Sequence, residues 1–182
     1  RMGRAGVVKY YLEKGVLNPN KPKIMVGGSD IVKVDLEEFT KIHLANVANG
    51  FVATLIGSGS GQTQFDKTVF NPSNGQVKKM EMDRTLFLPD GESANTGTAF
   101  FDSVCGKLFM DIPDDRMPVD WENLINEFGK VSCLRNANVY ESWFPLKTPY
   151  DYKKAKDVDF EKWFGVSSVE DHLGEYVPNS NL

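Results

Sequence analysis

An α+β domain is predicted: an antiparallel β-meander sheet packed by one main amphipathic helix over residues 120–129, with an extended aromatic-rich C-terminal arm. Three stretches predict it. Lys78 to Leu88 alternates, with Met80, Met82, Leu86 and Leu88 on one side and Lys79, Glu81, Asp83 and Thr85 on the other, the period of a half-buried strand. Val104 to Ile112 does the same, setting Val104, Gly106, Leu108, Met110 and Ile112 against Ser103, Lys107 and Asp111. Asp120 then caps a helix whose Trp121, Leu124, Ile125 and Phe128 recur at i, i+3, i+4 and i+7, closed by Gly129.

Taken in order, Gly6 to Lys14 is a short helix with Val8, Tyr11 and Leu12 on one side and Gly15 as its stop. Asn18-Pro19-Asn20-Lys21-Pro22 is an extended linker, because proline biases its predecessor away from helix. A strand starts near Lys23, Gly27-Gly28-Ser29-Asp30 turns it, and Ile31 to Leu36 alternates as the next strand. From Leu36 to about Asn46 a helix is favoured, with Asp35 as N-cap, Glu38 at N3 and Leu36, Phe39, His43 and Val47 on one stripe. The competing reading pairs Thr40–Ala48 with Phe51–Ile56 across the hairpin dipeptide Asn49-Gly50.

Phe51 to Ile56 and Phe65 to Phe70 are strands, and Asn71-Pro72-Ser73-Asn74-Gly75 turns the chain toward Lys78. Pro89-Asp90-Gly91 and Asn95-Thr96-Gly97 are turn chemistry between the two alternating strands, so the economical topology from Phe51 to Ile112 is an antiparallel meander. Val131–Leu134 and Val139–Phe144 are short strands about Asn136-Ala137-Asn138. Residues 1–144 make the core domain with an N-terminal extension, and residues 145–182 the arm with short helices, part of the same domain or docked on a partner.

With 182 residues the chain can bury about 70% of its unfolded surface. A net charge of −4, spread without long blocks of one sign, argues against direct nucleic-acid binding. No apolar run is long enough for a membrane helix, although peripheral membrane association stays open. The start at Arg1 rather than a methionine points to a removed upstream segment, which favours an organelle, plastid or mitochondrion, with a virion or the cytoplasm as alternatives.

Candidate chemistry is sparse. Gly57-Ser58-Gly59-Ser60-Gly61 follows an apolar strand as a phosphate cradle would, but Gln62-Thr63-Gln64-Phe65 continues as strand, so a hairpin loop is expected. His43, His172, Cys105 and Cys133 have no spacing that suggests a metal or nucleophile pair. Asp111, Asp114 and Asp115, and separately Asp90, Glu92 and Asn95, lack an EF-hand pattern and are expected to be solvated turn residues. In Tyr150-Asp151-Tyr152-Lys153-Lys154-Ala155-Lys156 the lysines are offset at once by Asp157, Asp159 and Glu161.

Residues 139–182 carry nine of the 21 aromatics, more than their share of the chain. Trp143, Phe144, Tyr150, Tyr152, Phe160, Trp163 and Phe164 are therefore the predicted partner-binding residues. With no catalytic, cofactor or metal residues assigned, the expectation is a non-catalytic accessory subunit of a larger assembly, contacting other protein subunits. Two alternatives stand beside it: an apolar-ligand pocket lined by Met80, Met82, Leu108 and Met110, and an enzyme using Cys105 or Cys133 with a histidine.

Overall fold

A computed structural model describes residues 2–27, 30–59, 66–81, 88–125, 127–135, 140–146, 148–150 and 153. Helix α1, Gly3–Glu13, is stopped as expected by Gly15 at φ +69°, and it starts three residues earlier than the sequence suggested. After the linker come β1, Lys23–Met25, and β2, Asp30–Val34. Helix α2, Leu36–Ala48, begins on Asp35, whose Oδ1 accepts from Glu38 N at 2.9 Å. Phe39 and His43 are its buried residues, whereas Leu36 is exposed. Asn49-Gly50 ends this helix rather than turning a hairpin: Gly50, at φ +80°, donates its N–H to Val47 O at 2.9 Å.

The remaining strands are β3, Ala53–Ser58, β4, Lys67–Phe70, β5, Val77–Glu81, β6, Glu92–Phe101, β7, Val131–Arg135, and β8, Tyr140–Pro145. Among the described residues β5, β4, β6, β3 and β7 form a sheet in that order, β1 also pairs with β6, and β2 with β8 makes a separate two-stranded sheet. The fold is α+β with a mixed sheet: the pairs are antiparallel except β3 with β7, which is parallel. The expected meander is corrected accordingly. β4 and β5 do form a hairpin, but β6 inserts between β4 and β3, and β8 pairs with β2 instead of β7.

Two local assignments change with it. Val104–Ile112 is not a strand; Cys105–Met110 forms helix α3. Cys105 and Phe109, one helical turn apart, enter the core, while Val104 and Met110 of the supposed apolar face are exposed. The period-two count had left Phe109 out, and its ring packs 5.3 Å from Phe101 and 5.1 Å from Phe128. Second, Asn95-Thr96-Gly97 is not a turn between strands but lies inside β6, whose residues 93–101 are all buried. A strand buried on both faces has no polar alternation to betray it.

The Trp121 segment is a 3-10 helix, Trp121–Leu124, in place of the expected α-helix, yet Trp121, Leu124, Ile125 and Phe128 are buried as the stripe required. They join Leu12 of α1, Phe109 of α3, and Leu55, Ala99, Phe101 and Val131 of the sheet in the main core. The opposite sheet face, represented by Ile56 and Phe100, is covered by Phe39 of α2. Helical segments therefore cover both faces, not one. Truncating Trp121 or Phe101 to Ala costs about 3–5 kcal/mol at such positions.

Candidate functional site

Strand β6 is longer than the strands it meets, and an opening results. Along one edge its residues Ala99–Phe101 hold β1 and its residues Glu92–Ala94 hold β4. Between them, at positions 95–98, no strand pairs on that edge among the described residues. Asn95 N alone reaches across, donating to Asp66 O at 2.8 Å. Both β1 and β3 run antiparallel to β6, so β1 ends at this opening in the same direction as β3. Crevices beyond strand carboxyl ends, where the strand order switches, are the usual ligand sites of open α/β sheets.

The backbone here is shaped by a bulge. Ile56 faces Thr98 while the next residue, Gly57, faces Asn95, so two residues of β6 are extra. Gly97 takes φ +72°, and Asn95 Oδ1 accepts from Gly97 N at 2.9 Å. Thr96 anchors the bulge by donating its hydroxyl to Ile56 O at 2.7 Å. Gly27, just past β1, lies against Gly97: a Cβ on Gly27 would sit 3.7 Å from Gly97 Cα. That is ordinary contact, so Gly97, at positive φ, is the position on this rim where the backbone itself calls for glycine.

Over this opening lies a cleft of about 280 Å³, lined by Arg4 of α1, Asp66 before β4, Met80 and Glu81 of β5, and Asp120 and Glu122. Asp120 holds the expected N-cap position, but its side chain makes no capping bond; it accepts from Arg4 N at 2.6 Å and lies 3.4 Å from Arg4 Nε. Arg4 also ion-pairs with Glu122 Oε1, which accepts from Asn95 Nδ2 at 3.0 Å. The remaining oxygen, Glu122 Oε2, is buried with no hydrogen-bond partner. Burial pushes the Glu122 carboxyl up to about 7, against the opposing pull of Arg4. A carboxyl that changes charge near neutrality inside a cleft is a functional-site signature.

Of the sequence-predicted partner-binding residues, Trp143 and Tyr150 have described side chains, and neither lines this cleft. Trp143 is half-buried and packs on Leu88 and Ala94 of its own chain. Phe144 lies in β8 opposite Ile31, and Tyr150 is exposed. Tyr152, Phe160, Trp163, Phe164, His172 and Met82 lie outside the described residues. Among the described residues the methionine-lined pocket is not assembled: Met80 lines the charged cleft, while Leu108 and Met110 line a separate open groove of about 810 Å³ beside Pro19.

Among the described residues the geometry gives the cysteine-enzyme alternative no support. Cys105 and Cys133 are unbridged and buried, and burial pushes their thiols up to about 12 and about 11. His43 is buried with Nδ1 3.0 Å from Thr54 Oγ1, and its ring stacks on Phe100 at 4.1 Å. Burial lowers its pKa.

The candidate ligand oxygens are dispersed. Asp114 takes Lys9 Nζ at 2.6 Å, Asp90 lies 3.5 Å from Arg135, Glu92 lies 3.3 Å from Lys67, and Asn95 serves the cleft. Among the described residues no cluster of three or more His, Cys, Asp or Glu forms a metal centre. Of the loop Gly57–Gly61, Gly57 and Ser58 belong to β3 and residues 60 and 61 lie outside the described residues. Arg4 and Glu122 were missed because residues 4, 95 and 122 share no spacing. A signal for Asn95 was present: an Asn-x-Gly set in the run of small residues Ser93–Ala99, with no polar flank to suit an exposed turn.

No family model and no curated protein matches the chain. Solved structures do. HddC from Yersinia pseudotuberculosis, alone and complexed with GMP-PN, superposes with TM-score 0.63 at 16% identity, over 86% of this chain and 62% of that one. A protein described as a glucose-1-phosphate thymidylyltransferase from Bacillus anthracis, in complex with sucrose, gives TM-score 0.63 at 14% identity, over 86% and 60%. The chain has the fold of these proteins. It spans about three fifths of their length. The expectation of a non-catalytic accessory subunit is corrected on this ground, since the structural neighbours include a protein described as a thymidylyltransferase and one complexed with GMP-PN.

Proposed function

We propose that the chain belongs to a nucleotidyltransferase acting on a sugar phosphate, and that the cleft over the β6 bulge receives the sugar-phosphate side of the reaction. The fold likeness to a protein described as a glucose-1-phosphate thymidylyltransferase supports the reaction class. In such a transfer an oxygen of the sugar phosphate attacks the α-phosphorus of a nucleoside triphosphate, and that new P–O bond forms as the bond to pyrophosphate breaks.

The observation that carries the reading is the chemistry of the cleft. Four carboxyl groups, on Asp66, Glu81, Asp120 and Glu122, line it with one guanidinium, that of Arg4, while Lys67 and Lys79 pair with Glu81. Such a lining repels a bare polyphosphate, whereas sugar hydroxyls donate well to carboxylates and a single phosphate group suits one arginine.

The test is calorimetric titration of the protein with glucose 1-phosphate, glucose and sulfate, and an assay for nucleoside diphosphate sugar from glucose 1-phosphate with dTTP or GTP. Glucose 1-phosphate is expected to bind at least tenfold more tightly than glucose or sulfate, since both halves of the ligand are recognised. Equal binding of all three would overturn the reading.

A further inference from the structure

The ion pair that closes the cleft joins unequal partners. The Arg4 side chain is 41% exposed and the Glu122 side chain 6%. Glu122 is held from behind by buried Asn95 of β6, while Arg4 lies along the cleft with its guanidinium 5.9 Å above the Trp121 ring. Arg4 is thus the partner that can turn toward a ligand, giving up its 3.4 Å contact with Asp120 Oδ1 as it does. Glu122 is not.

Resting on the functional reading above, we propose that Arg4 and Glu122 form a latch: a phosphate-bearing ligand takes the Arg4 guanidinium, and Glu122, left without its counter-ion, takes up a proton. The groups facing Glu122 from each neighbouring element favour this. Arg4 of α1 is the cation bonded to it, Asn95 of β6 is neutral, and Asp120 on its own segment is acidic. Across the cleft stand Asp66 and Glu81, and the lysines there, Lys67 and Lys79, are bonded to Glu81 at 3.0 and 2.5 Å.

A buried carboxylate that loses its one cation is costly, and protonation relieves the cost. The unpartnered Oε2 can receive that proton without breaking the bond from Asn95 to Oε1. Ligand binding is thereby coupled to proton uptake, visible above pH 7, where the free protein carries Glu122 ionised.

The experiment titrates the protein with sulfate, whose own charge does not change near neutrality, and with glucose 1-phosphate, in buffers of different ionisation enthalpy at pH 6, 7 and 8. Wild type is expected to take up an increasing fraction of one proton from pH 6 to 8, with affinity falling by up to about tenfold per pH unit above neutrality. Glu122→Gln is expected to bind sulfate with no proton uptake, and at pH 8 more tightly than wild type. Carbon-13 titration of the Glu122 carboxyl in wild type, with and without sulfate, decides the matter without the variant: sulfate should raise its midpoint. Sulfate binding without proton uptake, or no sulfate binding at tens of millimolar, overturns the latch. Glucose 1-phosphate binding no better than sulfate, with proton uptake intact, overturns the sugar-phosphate reading and leaves the latch standing.

Discussion

Asn95 donates through Nδ2 to Glu122 Oε1 at 3.0 Å while its Oδ1 accepts from Gly97 N at 2.9 Å. One amide therefore ties the β6 bulge to the buried carboxyl. Asn95→Ala leaves Gly97 N without its acceptor and Glu122 Oε1 with Arg4 alone, and is expected to cost about 1–3 kcal/mol in denaturant unfolding. Asn95→Asp keeps an acceptor for Gly97 but sets a second carboxyl against Glu122. Its stability deficit should be largest above pH 7 and shrink as the solution is acidified; a deficit independent of pH would show that Asn95 and Glu122 do not interact.

Two buried groups give opposite pH dependences. Glu122 is raised by burial from its ordinary 4.5 to about 7, so its contribution to stability is fully present below 4.5 and is lost as pH rises through 7. His43 is lowered by burial from 6.5, so its contribution is present above 6.5 and is lost as pH falls through the folded value. Melting temperatures recorded from pH 4 to 9 should therefore show Glu122→Gln removing the decline on the alkaline side and His43→Gln removing the decline on the acid side. Parallel curves for wild type and both variants would contradict the burial of these groups.

Glycine 106 reverses a common expectation. Alanine in place of glycine inside a helix ordinarily stabilises by about 0.5–1 kcal/mol. In α3, however, a Cβ on Gly106 would overlap the Pro19 carbonyl oxygen and stand 3.0 Å from Pro19 Cα. Gly106→Ala should destabilise by about 1–3 kcal/mol through overpacking. Gly129→Ala meets no atom within 4 Å but sits at φ +90°, so backbone strain alone acts there, about 1–2 kcal/mol. Urea midpoints of the two variants test both signs.

Local chemistry was legible wherever the chain signals to itself. Asp35 with Glu38 marked the start of α2, Gly15 marked the end of α1, and Asn71–Gly75 marked the turn between β4 and β5. What stayed hidden depends on burial from both sides. Ser93–Ala99 carries small residues because helical segments and strands crowd it, and period-two reasoning has no exposed face to find there. The Trp121 stripe predicted which residues are buried but not the 3-10 geometry, since side-chain spacing near three satisfies both helix types. The cleft is a product of topology: Arg4, Asn95 and Glu122 meet because β1 and β4 share one edge of β6, and that pairing leaves no trace in any local window.

The two thiols supply the last test. Cys133 is packed behind Gly57 with its sulfur 3.3 Å from Ser93 Oγ, and Cys105 donates to Val52 O at 3.4 Å. Burial raises both far above the pH of ordinary solutions, about 12 for Cys105 and about 11 for Cys133, so the thiolate fraction at pH 8 is about a thousandth or less. Access is closed as well, since both residues lie inside the fold. An aromatic disulfide reagent at pH 8 should therefore modify neither cysteine of the native protein within minutes and both after guanidinium unfolding. Because Cys133 sits beside the Gly57 to Asn95 step of the bulge, its native-state labelling rate should follow local opening of β6, rising in Asn95→Ala while Cys105 stays slow. Rapid labelling of either thiol in the folded wild type would mean that the sheet is not packed as described.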